Sequence, residues 1–207
     1  MFTGLISGVG TIRSVTPIGD GRDARFTIAL PGQGEWTDGE SIKLGASIAC
    51  SGCCLTVIER GADFFTVEVS AESLSLTTLG QWQEGSKINL EASLKLGDEL
   101  GGHLVSGHVD GLATITAKTP ENGSTRWQFT LPRELGRFIA PKGSVAVNGV
   151  SLTVNEVIDT GQTTTFGVNI IPHTAENTNF FTLEIGQNVN IEIDMLARYV
   201  ARLKEHA

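Results

Sequence analysis

Three thiols fall within Cys50-Ser51-Gly52-Cys53-Cys54, and two imidazoles fall within Gly101-Gly102-His103-Leu104-Val105-Ser106-Gly107-His108. The Cys50–Cys53 spacing is that of a redox pair or half a metal site. A redox pair normally opens a helix, and a structural zinc needs four ligands. Here a strand pattern follows and no second cysteine pair exists, so neither use is expected and no metal is assigned. Cys53 and Cys54 are adjacent in an extended segment, so one faces a core and the other faces away. Cys54 is the candidate for a ligand-facing polar group. His108 lies among Ser106-Gly107 and Asp110-Gly111, where glycine lets a ligand approach the backbone. A neutral imidazole is the natural proton carrier, although a packed or surface role is the plainer alternative. His103 and His108 would form a metal pair only with further ligands at fitting spacing, and none is present. His206 is expected to be tail.

The elements around these residues are mostly strands. Arg25–Leu30, Ser41–Leu44, Ser47–Cys50, Cys54–Glu59, Phe64–Val69 and Lys87–Glu91 alternate polar and apolar positions in the first half. Leu112–Ile115, Trp127–Leu131, Ser144–Val147, Leu152–Val157, Phe166–Ile171 and Asn188–Ile193 do so in the second. About six short strands per half, parted by glycine-rich turns, predict small closed barrels and an all-β fold. Short helical turns are expected at Ala71–Leu74 and Arg133–Ile139. A true helix is expected after Asp194, which can cap it. Met195, Leu196, Tyr199, Val200 and Leu203 recur there at helical spacing. That helix either seals a barrel end or packs on copies of itself. The linker between halves is placed at Ala92–Leu100.

The two halves repeat each other. Gly52-Cys53-Cys54-Leu55-Thr56-Val57 recurs as Gly149-Val150-Ser151-Leu152-Thr153-Val154, and Thr3-Gly4-Leu5-Ile6 recurs as Ser106-Gly107-His108-Val109. Gly85-Ser86-Lys87-Ile88-Asn89-Leu90-Glu91 recurs as Gly186-Gln187-Asn188-Val189-Asn190-Ile191-Glu192. Framework glycines and apolar positions are kept, so both halves fold alike. The polar positions differ: Cys54 matches Ser151, Leu5 matches His108, and Glu72 matches His173. Ser47 and Ser144 match before the glycine turns, as do Thr56 and Thr153. Such a duplication can bind two copies of one ligand and treat them differently.

Length and composition agree. The chain has 207 residues, 40% of them hydrophobic, and a formal net charge of −8. Each half is long enough to bury its own core. No apolar run approaches a membrane span, and no basic run exists to follow a phosphate backbone, so neither membrane nor nucleic acid is an expected partner. The first residues lack the charge and apolar pattern of a leader. With an odd number of cysteines, this makes cytoplasmic residence the expectation.

Met1-Phe2-Thr3-Gly4-Leu5-Ile6, the Cys53-Cys54 and Ser151 repeats, the two-histidine segment, and Asn190-Ile191-Glu192-Ile193-Asp194 together resemble the alpha-chain riboflavin synthase family over essentially the whole chain. The resemblance implies two six-stranded Greek-key barrels, residues 1–97 and 98–193, and a C-terminal trimerisation helix, 194–207. It implies a homotrimer that joins two molecules of 6,7-dimethyl-8-ribityllumazine by four-carbon transfer. The products are riboflavin and 5-amino-6-(D-ribitylamino)uracil, and no cofactor is used. The active site would lie between the N-terminal barrel of one subunit and the C-terminal barrel of a neighbour.

By motif, the N-barrel pocket would use Gly4, Leu5 and Ile6 with Cys54, Leu55 and Thr56, then Glu68, Val69, Ser70, Ala71, Glu72 and Ser73. The C-barrel pocket would use Gly107, His108 and Val109 with Lys142, Ser151, Leu152 and Thr153, then Asn169, Ile170, Ile171, Pro172, His173 and Thr174. Ser47, Cys54, His108 and Asp194 are the residues expected to influence the chemical step, His108 in proton transfer. His173 departs from the glutamate common at that position. A non-catalytic lumazine- or flavin-binding antenna protein of the same fold is the alternative function. A flavin barrel of a reductase would need a nicotinamide-binding domain that this chain lacks.

Overall fold

Strand periodicity resolves into two closed antiparallel barrels in a computed structural model that describes residues 1–205. His206 lies outside the described residues. The first barrel contains β1 (Gly8–Ile18), β2 (Asp23–Ala29), β3 (Ser47–Cys50), β4 (Cys53–Gly61), β5 (Phe64–Val69) and β6 (Lys87–Ala92). Their order around the barrel is β1-β2-β5-β4-β3-β6. The second contains β7 (Gly111–Glu121), β8 (Ser124–Pro132), β9 (Ser144–Val147), β10 (Val150–Thr160), β11 (Thr163–Ile170) and β12 (Asn188–Ile193), connected in the same order. Strands β3, β4 and β5 are sequential neighbours and β6 returns beside β3, which is a Greek key.

Alternation determines which side chains fill each barrel. Along β4, Cys53, Leu55 and Val57 point inward, and Cys54 and Thr56 point out. Phe26, Ile28, Phe65 and Ile88 fill the first barrel. Phe129 and Phe166 stack at 5.4 Å between ring centroids in the second, beside Trp127 and Phe180. A third cluster of Phe2, Ala49, Val105 and Ala146 lies apart from both interiors, and Cys54 packs against it.

Two expectations about strands change. Ser41–Leu44 is not a strand: Gly39–Ser41 forms a 3-10 turn in which the Asp38 carboxylate accepts from the Glu40 N–H at 2.9 Å. Local hydrogen bonding of that kind competes with a sheet ladder. The sixth strand of the first barrel is instead β1. Its alternation is hidden by Gly8 and Gly10 and by a bulge between Ile12 and Ser14. Packing requires those glycines, because a Cβ on Gly10 would lie 2.9 Å from Leu90 and one on Gly8 2.7 Å from the Trp36 ring.

Helical segments are short. They are α1 (Ala71–Leu76), α2 (Arg133–Gly136), α3 (Pro172–Asn177) and α4 (Met195–Lys204). α2 is shorter than its pattern suggested, and α3 begins on proline at a position that the sequence reading left without a helix. Asp194 caps α4, accepting from the Leu196 N–H at 2.9 Å. The connection between barrels runs beyond Leu100 to Asp110, because Val105 forms a bridge with Phe2 rather than joining a barrel. No helix among the described residues is long and apolar enough to cross a membrane.

Candidate functional site

Phe2 and Val105 lie side by side, with the Phe2 N–H donating to the Val105 carbonyl at 2.7 Å and the reverse bond at 3.0 Å. From this bridge the two matching segments, 3–6 and 106–109, run to opposite barrels. Each crosses to the half that it does not belong to in the repeat. The Ser151 N–H donates to the Gly4 carbonyl, and the Cys54 N–H donates to the Gly107 carbonyl, both at 2.8 Å. Ile6 packs on the core of the second barrel and Val109 on the core of the first. Gly4 and Gly107 have φ of +76° and +82°. A Cβ on either would lie 2.6 Å from the Cβ of Ser151 or Cys54 respectively. Glycine is therefore required twice over, by backbone angle and by contact.

This exchange regroups the expected pocket residues. Gly107, His108 and Val109 line a cleft of about 270 Å³ with Cys54, Leu55, Glu72, Ser73, Leu76 and Thr77 of the first barrel. Gly4 meets Ser151 of the second barrel instead of Cys54. Sequence reasoning paired each segment with its own half, because a repeat carries no information about which copy a segment packs on.

The two composite sites are chemically unequal. The first holds the Cys54 thiol and the His108 imidazole. In the second, His103 Nδ1 lies 2.7 Å from Ser151 Oγ, and His103 Nε2 is buried without a partner among the described residues. Burial pushes His103 below its ordinary 6.5, while the negative charges of Asp194 and Glu192 pull it up. His103 thus joins Asp194 and Ser151 in one neighbourhood. The sequence reading weighed His103 only as a metal ligand and passed over it. Its contact with Ser151 joins residues 48 positions apart and was visible only in space.

The remaining candidates have clear positions. Ser47 lies opposite Thr56 on the outward face shared with Cys54, but it lines a separate cleft of about 630 Å³ with Lys43, Leu44 and Ser93. Lys142 has φ +68° where its counterpart Gly45 has +80°, and each N–H donates to the matching strand carbonyl at 2.8 Å. A lysine held in the left-handed region is a strained choice that a structural turn would not need. Val69 and Ile170 point into the barrel cores, leaving their backbone to face outward. Glu68 is engaged by Arg25 at 2.6 Å. Ser70 caps α1, where Glu72 and Ser73 face the cleft, and Ala71 N–H donates to Asp23. Ile171 precedes α3, whose first residues are Pro172, His173 and Thr174. Asn169 has a buried Oδ1 without a partner among the described residues. Leu152 packs on the second core, and Thr153 stands opposite Ser144. Burial raises the Cys53 thiol to about 12 and the Cys50 thiol well above its ordinary value, so neither is a thiolate near neutral pH.

The class defined by this geometry is a duplicated barrel protein with two related but unequal junctions, each built from both halves, of which the Cys54–Gly107 junction opens on a cleft. Residues 3–93 and 106–194 each match the lumazine binding domain. The chain is 49% identical to the riboflavin synthase of Brucella abortus (strain 2308), over 100% of this chain and 99% of the other. It is 39% identical to that of Photobacterium phosphoreum, over 98% and 88%, and 37% identical to that of Bacillus subtilis (strain 168), over 100% and 91%. Among solved structures it resembles LumP complexed with riboflavin, with a TM-score of 0.81 and 27% identity over 93% of this chain and 99% of that one. LumP complexed with 6,7-dimethyl-8-(1'-D-ribityl) lumazine gives a TM-score of 0.79 at 26% identity over the same shares. The chain belongs to the riboflavin synthase family of lumazine-binding proteins.

Proposed function

We propose that the protein is a riboflavin synthase, a transferase that converts two molecules of 6,7-dimethyl-8-ribityllumazine into riboflavin and 5-amino-6-(D-ribitylamino)uracil. The observation that carries this reading is the pair of crossing junctions, Gly107 on Cys54 and Gly4 on Ser151, alike in frame and unlike in polar groups. Two identical substrates must act as donor and acceptor of the four-carbon unit, and unequal clefts give them unequal roles. A carrier of one chromophore needs only one competent cleft, which disfavours the antenna-type alternative. Residues 1–97 and 98–193 are the two lumazine-binding units, and each borrows its crossing segment from the other.

Orientation of the two rings is the main catalytic task, since the substrates carry the reacting carbons. His108 Nε2 or Nδ1 takes the proton from a 7-methyl group of one lumazine. Cys54 borders the same cleft and contacts that ring. Ser151, His103 and Asp194 serve the second lumazine, while Glu72 and His173, near the starts of α1 and α3, face the ribityl chains. Ser47 reaches a substrate only where a neighbouring subunit completes its cleft.

Assembly as a homotrimer through α4 fits this reading. Leu196, Tyr199, Val200 and Leu203 are 68%, 64%, 54% and 73% exposed and form one apolar stripe. The opposite side of α4 is pinned by Arg198 to Asp110, which also accepts from the Ile193 N–H. Residence in the cytoplasm is supported by three unbridged cysteines among the described residues.

The test is incubation of purified protein with the lumazine alone. Riboflavin and the pyrimidine product should appear in equal amounts. Tight binding of lumazine without turnover would favour the antenna-type alternative.

A further inference from the structure

Glu91 and Glu192, near the ends of β6 and β12, are buried carboxylates on the strand faces turned towards the two crossing segments. Glu192 is only 3% exposed, yet it forms no ion pair among the described residues. Its Oε1 accepts from the Ser106 N–H at 2.6 Å and the Ser106 hydroxyl at 2.7 Å. Its Oε2 accepts from the Gly107 N–H at 2.9 Å and the His108 N–H at 3.0 Å. Four donors on one carboxylate fix three consecutive residues, and bonds to a charged acceptor are stronger than neutral ones. The clamp in the other half is looser. Glu91 accepts from the Thr3 N–H, the Thr3 hydroxyl and the Gly4 N–H at 2.6, 2.7 and 3.0 Å. The Leu5 N–H turns to the Thr3 hydroxyl at 3.1 Å instead.

The tighter clamp therefore holds the residue that carries a titratable ring. The His108 imidazole makes no hydrogen bond among the described residues; only its backbone N–H does. Its place in the cleft is set by that backbone, which is held by Glu192 on one side and by Cys54 N–H on the Gly107 carbonyl on the other. We propose that Glu192 is a positioning residue for His108: its four-donor clamp sets where the imidazole stands against the substrate in the Cys54 cleft. The proposal rests on the functional reading above for its kinetic part and on geometry alone for its structural part.

Glu192→Gln keeps the volume of the side chain. Its amide has one accepting oxygen, so one end of the clamp turns an N–H₂ towards donors that it cannot satisfy. Because displacement of a reacting group by about 1 Å costs on the order of 10²-fold, kcat at saturating lumazine should fall at least about tenfold with KM little changed. In a His108→Leu background the same change should add no further loss, because the group that it positions is gone. Ser106→Ala removes one donor and leaves the backbone donors; it should cause a smaller loss of kcat that also vanishes in the His108→Leu background. Independently of turnover, the imidazole resonance assigned to His108 by its absence in His108→Leu should shift in Glu192→Gln. Retained kcat in Glu192→Gln, losses that multiply in the double variants, or an unmoved His108 resonance would overturn the proposal. Wild-type protein that makes no riboflavin while the resonance still shifts would sink the functional reading and leave the clamp standing.

Discussion

Cys54 and Gly107 belong to opposite halves of the duplication, yet the Cys54 N–H donates to the Gly107 carbonyl at 2.8 Å. This bond and its counterpart between Ser151 and Gly4 make each junction the joint product of both barrels. They also place the one thiol that is not sealed in a core beside His108.

Cys54→Ser and His108→Leu each make one half resemble the other, but they should not be equivalent. Serine keeps a small polar group of the kind already present at Ser151, so lumazine binding should survive and turnover should fall moderately. His108→Leu removes the proposed proton acceptor of that cleft and should lower kcat on the order of 10²-fold or more. Steady-state rates with ligand titration check this; wild-type turnover in His108→Leu would remove the imidazole from the mechanism.

Gly107→Ala should destabilise the protein by roughly 2–4 kcal/mol, from a left-handed backbone angle and a Cβ driven into Cys54. The Cβ would lie 2.6 Å from that of Cys54 and 2.9 Å from the Phe2 ring. A denaturant midpoint equal to that of the wild type would show that the crossing segment can shift freely.

His103 is held below 6.5 by burial, so its neutral form is the one the fold favours. Its contribution is fully present above 6.5 and is lost as pH falls towards the depressed folded value, because the unfolded chain takes up the proton first. Urea midpoints across this range should fall on acidification more steeply for the wild type than for His103→Gln. Parallel profiles for the two proteins would contradict this.

Removal of the segment from Met195 onward should give mainly monomers with folded barrels, because α4 lies outside both barrels and carries the exposed apolar stripe. Sedimentation is the measurement. A truncated chain with the same assembly state as the full chain would assign assembly to the barrel surfaces.

The sequence by itself determined the duplication, the all-β class, the capped terminal helix and most strands. Each is written in local order: alternation along Phe64–Val69, an acid before an apolar helical stripe at Asp194, matching glycine turns at Gly52 and Gly149. It also marked which positions break the symmetry, since His108 against Leu5 and Cys54 against Ser151 need only an alignment of the halves. Strand β1 stayed hidden because packing against Leu90 and Trp36 demands glycine where alternation would show a side chain. The partners of the crossing segments were decided only by the tertiary structure. Gly4 meeting Ser151 and Gly107 meeting Cys54 are contacts between the halves, and two halves with the same local pattern offer each segment two equivalent docking strands. Glu91 and Glu192 tie each segment to its own half, and the Phe2–Val105 bridge brings the two segments together so that Gly4 reaches Ser151 and Gly107 reaches Cys54.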